Sequence, residues 1–420
     1  MRVLTIALML IVAAMTVGIQ GNSEAGQAPK GKITAMLNNE MQAYAELIKQ
    51  FTAKYPGTSV ELLPAPATSV VRRERYVTMF AAKDKSIDVL LTNCIDTSEF
   101  ASAQWIMELG NVVDMTVVRE NYYAANIESG TWRGKFYSMP HTADALHLYY
   151  RKDLLDQAGV KPPVDWNELV RIAVKLKGVV PYGLVSSWEK GNQFMSQYVL
   201  YAAGNGGSIL SRDGRTVTLD SPENVEALQL MADMIHKYGI APLDNLSLTT
   251  DDARIVFNQG KALFNVSWDY AWGNYQAADS AVKDKVGMPP MPVFPGKAPV
   301  SVLGGWGLAI NNYSQNKDTA VAFVQFLSDP EQIRFLLAHT KQSYSNRKIM
   351  SEPAYTANNP VYTGALARDY AITVSRPVTP RLAEIVDAFD EYVRPAVYNK
   401  VSAKDALKAA ANKTKSVISD

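Results

Sequence analysis

Three large rings flank one carboxylate in "GKALFNVSWDYAWG", residues 260 to 273: Trp268, Asp269, Tyr270 and Trp272 share five positions of a chain with seven tryptophans. Such rings bury well once their polar atoms find partners, so core packing is one reading. The other is a platform for a ligand that is itself half apolar and half polar. A sugar fits that description, because rings cover its C–H faces while carboxylates, amides and guanidinium groups meet its hydroxyl rim. Trp306 in "LGGWGLAI" supports the platform, since Gly304, Gly305 and Gly307 let backbone approach whatever the indole touches. Relief of crowding in a strand is the alternative use of those glycines. Glu40, Asn93, Asp96, Asp144 and Arg376 are expected in loops or at element ends. Each alone is explained by solvation or helix capping; together they would make a polar rim.

Signals for catalysis are poor. His141, His147, His236 and His339 show no H-E-x-x-H spacing, and the lone Cys94 provides no cysteine cluster, so no metal site is expected. There is no G-x-S-x-G elbow and no dinucleotide fingerprint, and no cofactor is implied. "SQNK", from Ser314 to Lys317, matches S-x-x-K only as four residues of a polar turn. Paired acids for glycoside hydrolysis stay open at this stage, because their separation is spatial and not sequential.

Composition narrows the setting. Arg2, an apolar run from about Leu4 to Val17 and then small and polar residues read as a secretory leader cut between residues 17 and 28. No later stretch approaches a membrane span, so a soluble chain in the periplasm is expected. No cysteine near the leader's end offers a lipid attachment point, and one cysteine excludes an intrachain disulfide. A formal charge of +1, from 42 basic and 41 acidic residues, gives no reason to expect nucleic acid or an anionic membrane surface. A neutral ligand fits. About 390 residues beyond the leader exceed what one core usually serves, so two domains are expected.

The positioning elements read as alternating strands and helices. "GKITAML" is a strand, "EMQAYAELIKQFTAKY" a helix with an apolar face, "PGTSVELLPAP" a turn into a second strand, "VVRRERYVTMFAAKD" helical and "SIDVLLTN" a buried strand ending at Asn93. This predicts an α/β fold with a largely parallel sheet covered on both sides and its functional loops beyond strand carboxyl ends. "HTADA", residues 141 to 145, is expected as a polar segment crossing between lobes before a strand beginning near Ala145. "DSPENVEALQLMADMIHKYG" is the clearest helix, with Ser221 as cap, Pro222 at its first position and Glu223 in its first turn. "VLGGWGLAI" is expected as a strand broken by its glycines.

"FTAKYPGTSVEL", "GKFYSMPHTADALHLYYRKDLLDQAGVKPPVDWNELV", "SPENVEALQLMADMIHKYG", "QGKALFNVSWDYAWG", "VLGGWGLAI" and "SRPVTPRLAEI" closely resemble, in order, segments of the bacterial extracellular solute-binding proteins that feed ATP-driven sugar importers. The trehalose and maltose binding branch is the most similar. The resemblance implies a two-lobed periplasmic binding protein fold (type II, maltose-binding-protein-like), with a ligand cleft and multiple interlobe crossings. Carried over, residues 30 to 145 plus 301 to 350 form lobe one, and 146 to 300 plus 351 to 420 form lobe two. It also implies a monomer that takes a neutral sugar, a disaccharide such as trehalose or a maltose-like glucoside, and docks on membrane permease subunits served by a separate ATPase.

The family's hydroxyl-binding positions fall on Glu40 and Asp144, its sugar-gripping arginine on Arg376 and its stacking rings on Trp268 and Trp306, with Tyr270 and Gly305 beside them. Asn93 and Asp96 stand where the branch commonly has Asp and Trp. Thr142 stands where Tyr is frequent, and Ser69 offers another rim contact.

Overall fold

The computed structural model describes residues 28–66, 68–211, 214–340, 342–357 and 359–419. The expected leader lies outside them. Seven strands carry the architecture: β1 (Gly31–Leu37), β2 (Thr58–Pro64), β3 (Val89–Asn93), β4 (Met139–Arg151), β5 (Tyr182–Ser186), β6 (Ala262–Trp268) and β7 (Ser301–Ile310). Helices α1 (Met41–Lys54), α2 (Ser69–Ala81), α3 (Thr97–Ser102), α4 (Asn192–Gly204), α5 (Pro222–His236), α6 (Thr250–Asn258), α7 (Ala271–Tyr275) and α8 (Pro360–Tyr370) matter most to the site.

One sheet runs through the molecule in the order β2-β1-β3-β7-β4-β6-β5, with short segments Val286–Gly287 on β4 and Thr373–Val374 on β7. Its two flanks are parallel, β1 with β2 and β3, and β5 with β6. Its centre is antiparallel, β7 with β3 and β4, and β4 with β6. The expectation of a largely parallel sheet therefore holds only for the flanks. Helical crossovers build parallel pairs, but β4 and β7 enter the centre from opposite directions and so pair antiparallel.

The expected polar crossing "HTADA" is also corrected. Residues 141 to 145 lie inside β4, which is buried along its whole length and begins at Met139, six residues before the expected start. A central strand covered on both faces shows no alternation, and its polar residues survive there because they are hydrogen-bonded or paired. The glycines of β7 do not break it either. The strand is continuous, with its register against β4 shifting between Trp306 and Gly307.

Local signals set the helix starts. The Ser221 side chain accepts from the Asn224 N–H with Pro222 in the first turn of α5, and Thr249 with Asp252 forms a capping box on α6. Buried aliphatic and aromatic residues gather in two large clusters. One packs α4 and α5 with β6, and the other packs α1, β1 and β3 with β7. Between them, the His147 Nδ1 lies 2.6 Å from the Asp369 carboxylate, tying β4 to α8.

Candidate functional site

The strand register assembles the site. Trp306 of β7 stands opposite Asn93 of β3 on one side and Thr142 of β4 on the other. Two residues along, Gly304 pairs with Asp144, and the next strand brings Trp268 opposite Leu146. Trp306, Asn93, Thr142, Asp144 and Trp268 therefore share the middle of the sheet although they are scattered along the chain. The glycines permit this close packing. A Cβ on Gly304 would lie 2.8 Å from Trp268 Cζ3 and 2.9 Å from Asp144 Cβ. Gly305 has φ +107°, and a Cβ there would meet the Thr142 carbonyl oxygen at 2.4 Å.

The two tryptophans are held differently. Trp306 is half-buried, and the Arg72 guanidinium carbon sits 3.9 Å from its ring centroid. Trp268 is 8% exposed and donates its indole N–H to Gln193 Oε1 at 3.2 Å. Trp272 stacks on Tyr362 with centroids 5.8 Å apart. Tyr270 is half-buried before α7, and burial first, then the nearby Asp144 charge, pushes its phenol well up.

Several expected site residues carry buried polar atoms without a protein partner. Glu40 Oε1 accepts from the Gln342 amide at 3.1 Å, while its buried Oε2 has no protein partner. The buried Thr142 hydroxyl has none. Arg376 is buried, and its Nη2 donates to the Leu303 carbonyl and to Cys94 Sγ, both at 3.3 Å, leaving Nε unpartnered. Arg376 and Cys94 line a water-sized cavity of about 10 Å³ with Ser98, Ser129, Leu303 and Ser375. Ser69 opens α2 one turn before Arg72, on the same helical face. A larger open groove lined by Trp166, Glu226, Leu230, Phe294 and Lys404 contains none of the residues expected from sequence.

Of the expected rim acids, Asp96 lies in the turn before α3 as expected, whereas Asp144 is neither in a loop nor at an element end. Asp96 is buried and folds back on its own turn, accepting from the Asn93 N–H at 3.1 Å; burial pushes its carboxyl up to about 7. Asp144 is a strand residue, 9% exposed. Burial, then the neighbouring Asp269 charge and a hydrogen bond between the two side chains, holds it well above the carboxylate range. Asp269 accepts from the Ala145 N–H at 3.3 Å and from the Tyr370 hydroxyl at 2.6 Å.

Sequence reasoning missed Arg72, Gln193, Gln342 and Tyr370. The only local signal among them was the Ser69 to Arg72 spacing. Among the described residues, no group of three His, Cys, Asp or Glu is placed to hold a metal ion.

Residues 37 to 333 match the family model described as bacterial extracellular solute-binding protein. The chain belongs to that family. As a solute-binding protein it is similar to the probable ABC transporter-binding protein of Deinococcus radiodurans, 28% identical over 379 residues, 85% of this chain and 86% of that one. It is also similar to the maltose-bound MalE3 of T. maritima, with 30% identity, a TM-score of 0.83 and coverage of 91% of this chain and 99% of the other. A solute-binding protein from Agrobacterium radiobacter K84, in complex with ribitol, gives 25% identity, a TM-score of 0.78 and coverage of 93% and 100%. The fold is accordingly the two-lobed arrangement of MalE-like binding proteins.

Proposed function

We propose that this solute-binding protein is the periplasmic substrate-binding component of an ABC sugar importer. It captures a neutral disaccharide or short glucoside without chemical change and delivers it to a membrane permease powered by a separate ATPase. The observation that carries this reading is the half-buried Trp306 ring with the buried, unpartnered Thr142 hydroxyl on the strand beside it, together with unpartnered buried polar atoms on Glu40 and Arg376. Buried polar groups without partners are costly, and a sugar's hydroxyls supply both donors and acceptors.

Trp306 covers one C–H face of the sugar, Trp268 and Tyr270 bound the opposite side, and Asn93, Asp144, Ser69 and the Gly305 backbone complete the rim. Asp96 holds the Asn93 turn in place rather than meeting ligand. Lobe one (residues 30 to 145 and 301 to 350) and lobe two (146 to 300 and 351 to 420) close on the solute, and the closed form docks on the permease. The maltose-bound MalE3 relative supports a glucoside. The ribitol complex of the Agrobacterium relative supports a polyol as the second reading.

Titration calorimetry against disaccharides, monosaccharides and polyols separates the two readings. Saturable disaccharide binding with the sugar recovered unchanged is the expected result. Altered products would overturn non-covalent capture, and heat with polyols alone would select the second reading.

A further inference from the structure

Two adjacent arginines on α2 keep different company. Arg73 makes a two-pronged pair with Glu99, Nε to Oε2 at 2.8 Å and Nη2 to Oε1 at 2.6 Å, the geometry that satisfies a guanidinium with one carboxylate. Arg72 is 4% exposed and bonds only to neutral acceptors. Its Nη1 donates to Asn38 Oδ1 at 3.1 Å, and its Nε and Nη2 both donate to the Pro66 carbonyl, at 3.3 and 2.9 Å. Those bonds fix the fork in orientation, and in that orientation its central carbon sits 3.9 Å from the centroid of the Trp306 ring.

One side chain thereby joins three segments. Asn38 follows β1, Pro66 follows β2 and Trp306 belongs to β7. Glu40, with its unpartnered oxygen, is two residues beyond Asn38. A methionine of similar length would fill the same space without the cost of burying a cation. What methionine cannot supply is an anchored cationic plane behind the indole. With that plane in place, one indole face is occupied by protein and the opposite face is the one a ligand can cover.

We propose that Arg72 is a positioning residue: it locks the Trp306 indole from behind, assigns the opposite face to the solute and couples that ring to the Asn38–Glu40 segment. This rests on the sugar-stacking reading of Trp306, but its first test needs no ligand. Arg72→Met and Arg72→Lys would each be made with and without Trp306→Phe, so that difference spectra isolate Trp306 emission. In a folded Arg72→Met protein the Trp306 component should move to the red, with acrylamide quenching raised about twofold as a released ring gains solvent access. Arg72→Lys should behave like Arg72→Met, because an ammonium cannot hold both anchors and lie flat on the ring.

The second test is a double-mutant cycle with maltose as the probe. Arg72→Met should weaken binding about tenfold when Trp306 is present and less than about twofold beside Trp306→Ala. Unchanged Trp306 emission and quenching, full restoration by Arg72→Lys, or an equal affinity loss in both backgrounds would overturn the positioning role. If the unaltered protein does not bind maltose, the glucoside reading fails by itself, and the ligand-free spectra still decide the role of Arg72.

Discussion

Trp306 and Trp268 stand near each other at the middle of one sheet and are held on opposite terms. Trp306 is half-buried, with Arg72 against one face and the unpartnered Thr142 hydroxyl on the adjacent strand. Trp268 is 8% exposed, with its N–H engaged by Gln193 and its ring edge against Gly304. The acids beside them differ as well. Asp96, on the turn after Asn93, is consumed by that turn, whereas Asp144, near Trp268, has its carboxyl held up by burial and by the neighbouring Asp269. A tryptophan in an aromatic-rich segment is thus not the more available one. Availability depends on what occupies the ring's second face and its N–H, and on that measure Trp306 is the more available ring and Trp268 the less available.

The contrast can be broken at several points. The largest effect concerns the acid on the Trp306 side. Asp96 has its carboxyl raised from 3.8 to about 7 by burial, so the folded chain holds a proton that the unfolded chain releases above pH 4. The stability associated with that proton is fully present below about pH 4 and is lost as pH rises towards 7. Asp96→Asn removes the slope, and its gain over the natural chain should grow to at most about 4 kcal/mol by pH 7, read from urea midpoints across that range. A pH-independent difference would contradict it.

Next, Gly305→Ala forces a side chain onto a left-handed residue facing the Thr142 carbonyl and should cost about 3 kcal/mol of stability in the same assay. Trp306→Ala should lose roughly 2 kcal/mol of sugar affinity while the protein stays folded. The smallest effect is expected from Trp268→Phe, which keeps most of the ring but drops the bond to Gln193. About 1 kcal/mol of stability should go, with affinity changing less than for Trp306→Ala. A reversal of the last two affinity effects would exchange the roles of the rings.

What could be read from the chain follows the range of the interactions involved. Ser221, Pro222 and Glu223 announce the start of α5 because a cap is satisfied within one turn. The β3 end at Asn93 and the turn to Asp96 were legible for the same reason. "HTADA" misled because polarity usually marks a loop, yet here Asp144 is compensated by Asp269 and β4 is covered on both sides by segments remote in sequence. Arg72 sat unnoticed in a charged helix since its partner, Trp306, lies on a strand far along the chain. The resemblance to sugar-binding relatives pointed equally to Trp268 and Trp306, and only the packing distinguishes the two rings.

The central claim is that the Trp306 face of the cleft binds a sugar. Titration calorimetry of the unaltered protein, run in parallel with folded Trp306→Ala, against maltose, trehalose, sucrose, monosaccharides and ribitol tests it most directly. At least one disaccharide should bind with an affinity on the order of micromolar, about 8 kcal/mol, and Trp306→Ala should weaken that binding at least about tenfold. No binding across the panel, or equal affinity in the two proteins, would contradict the account.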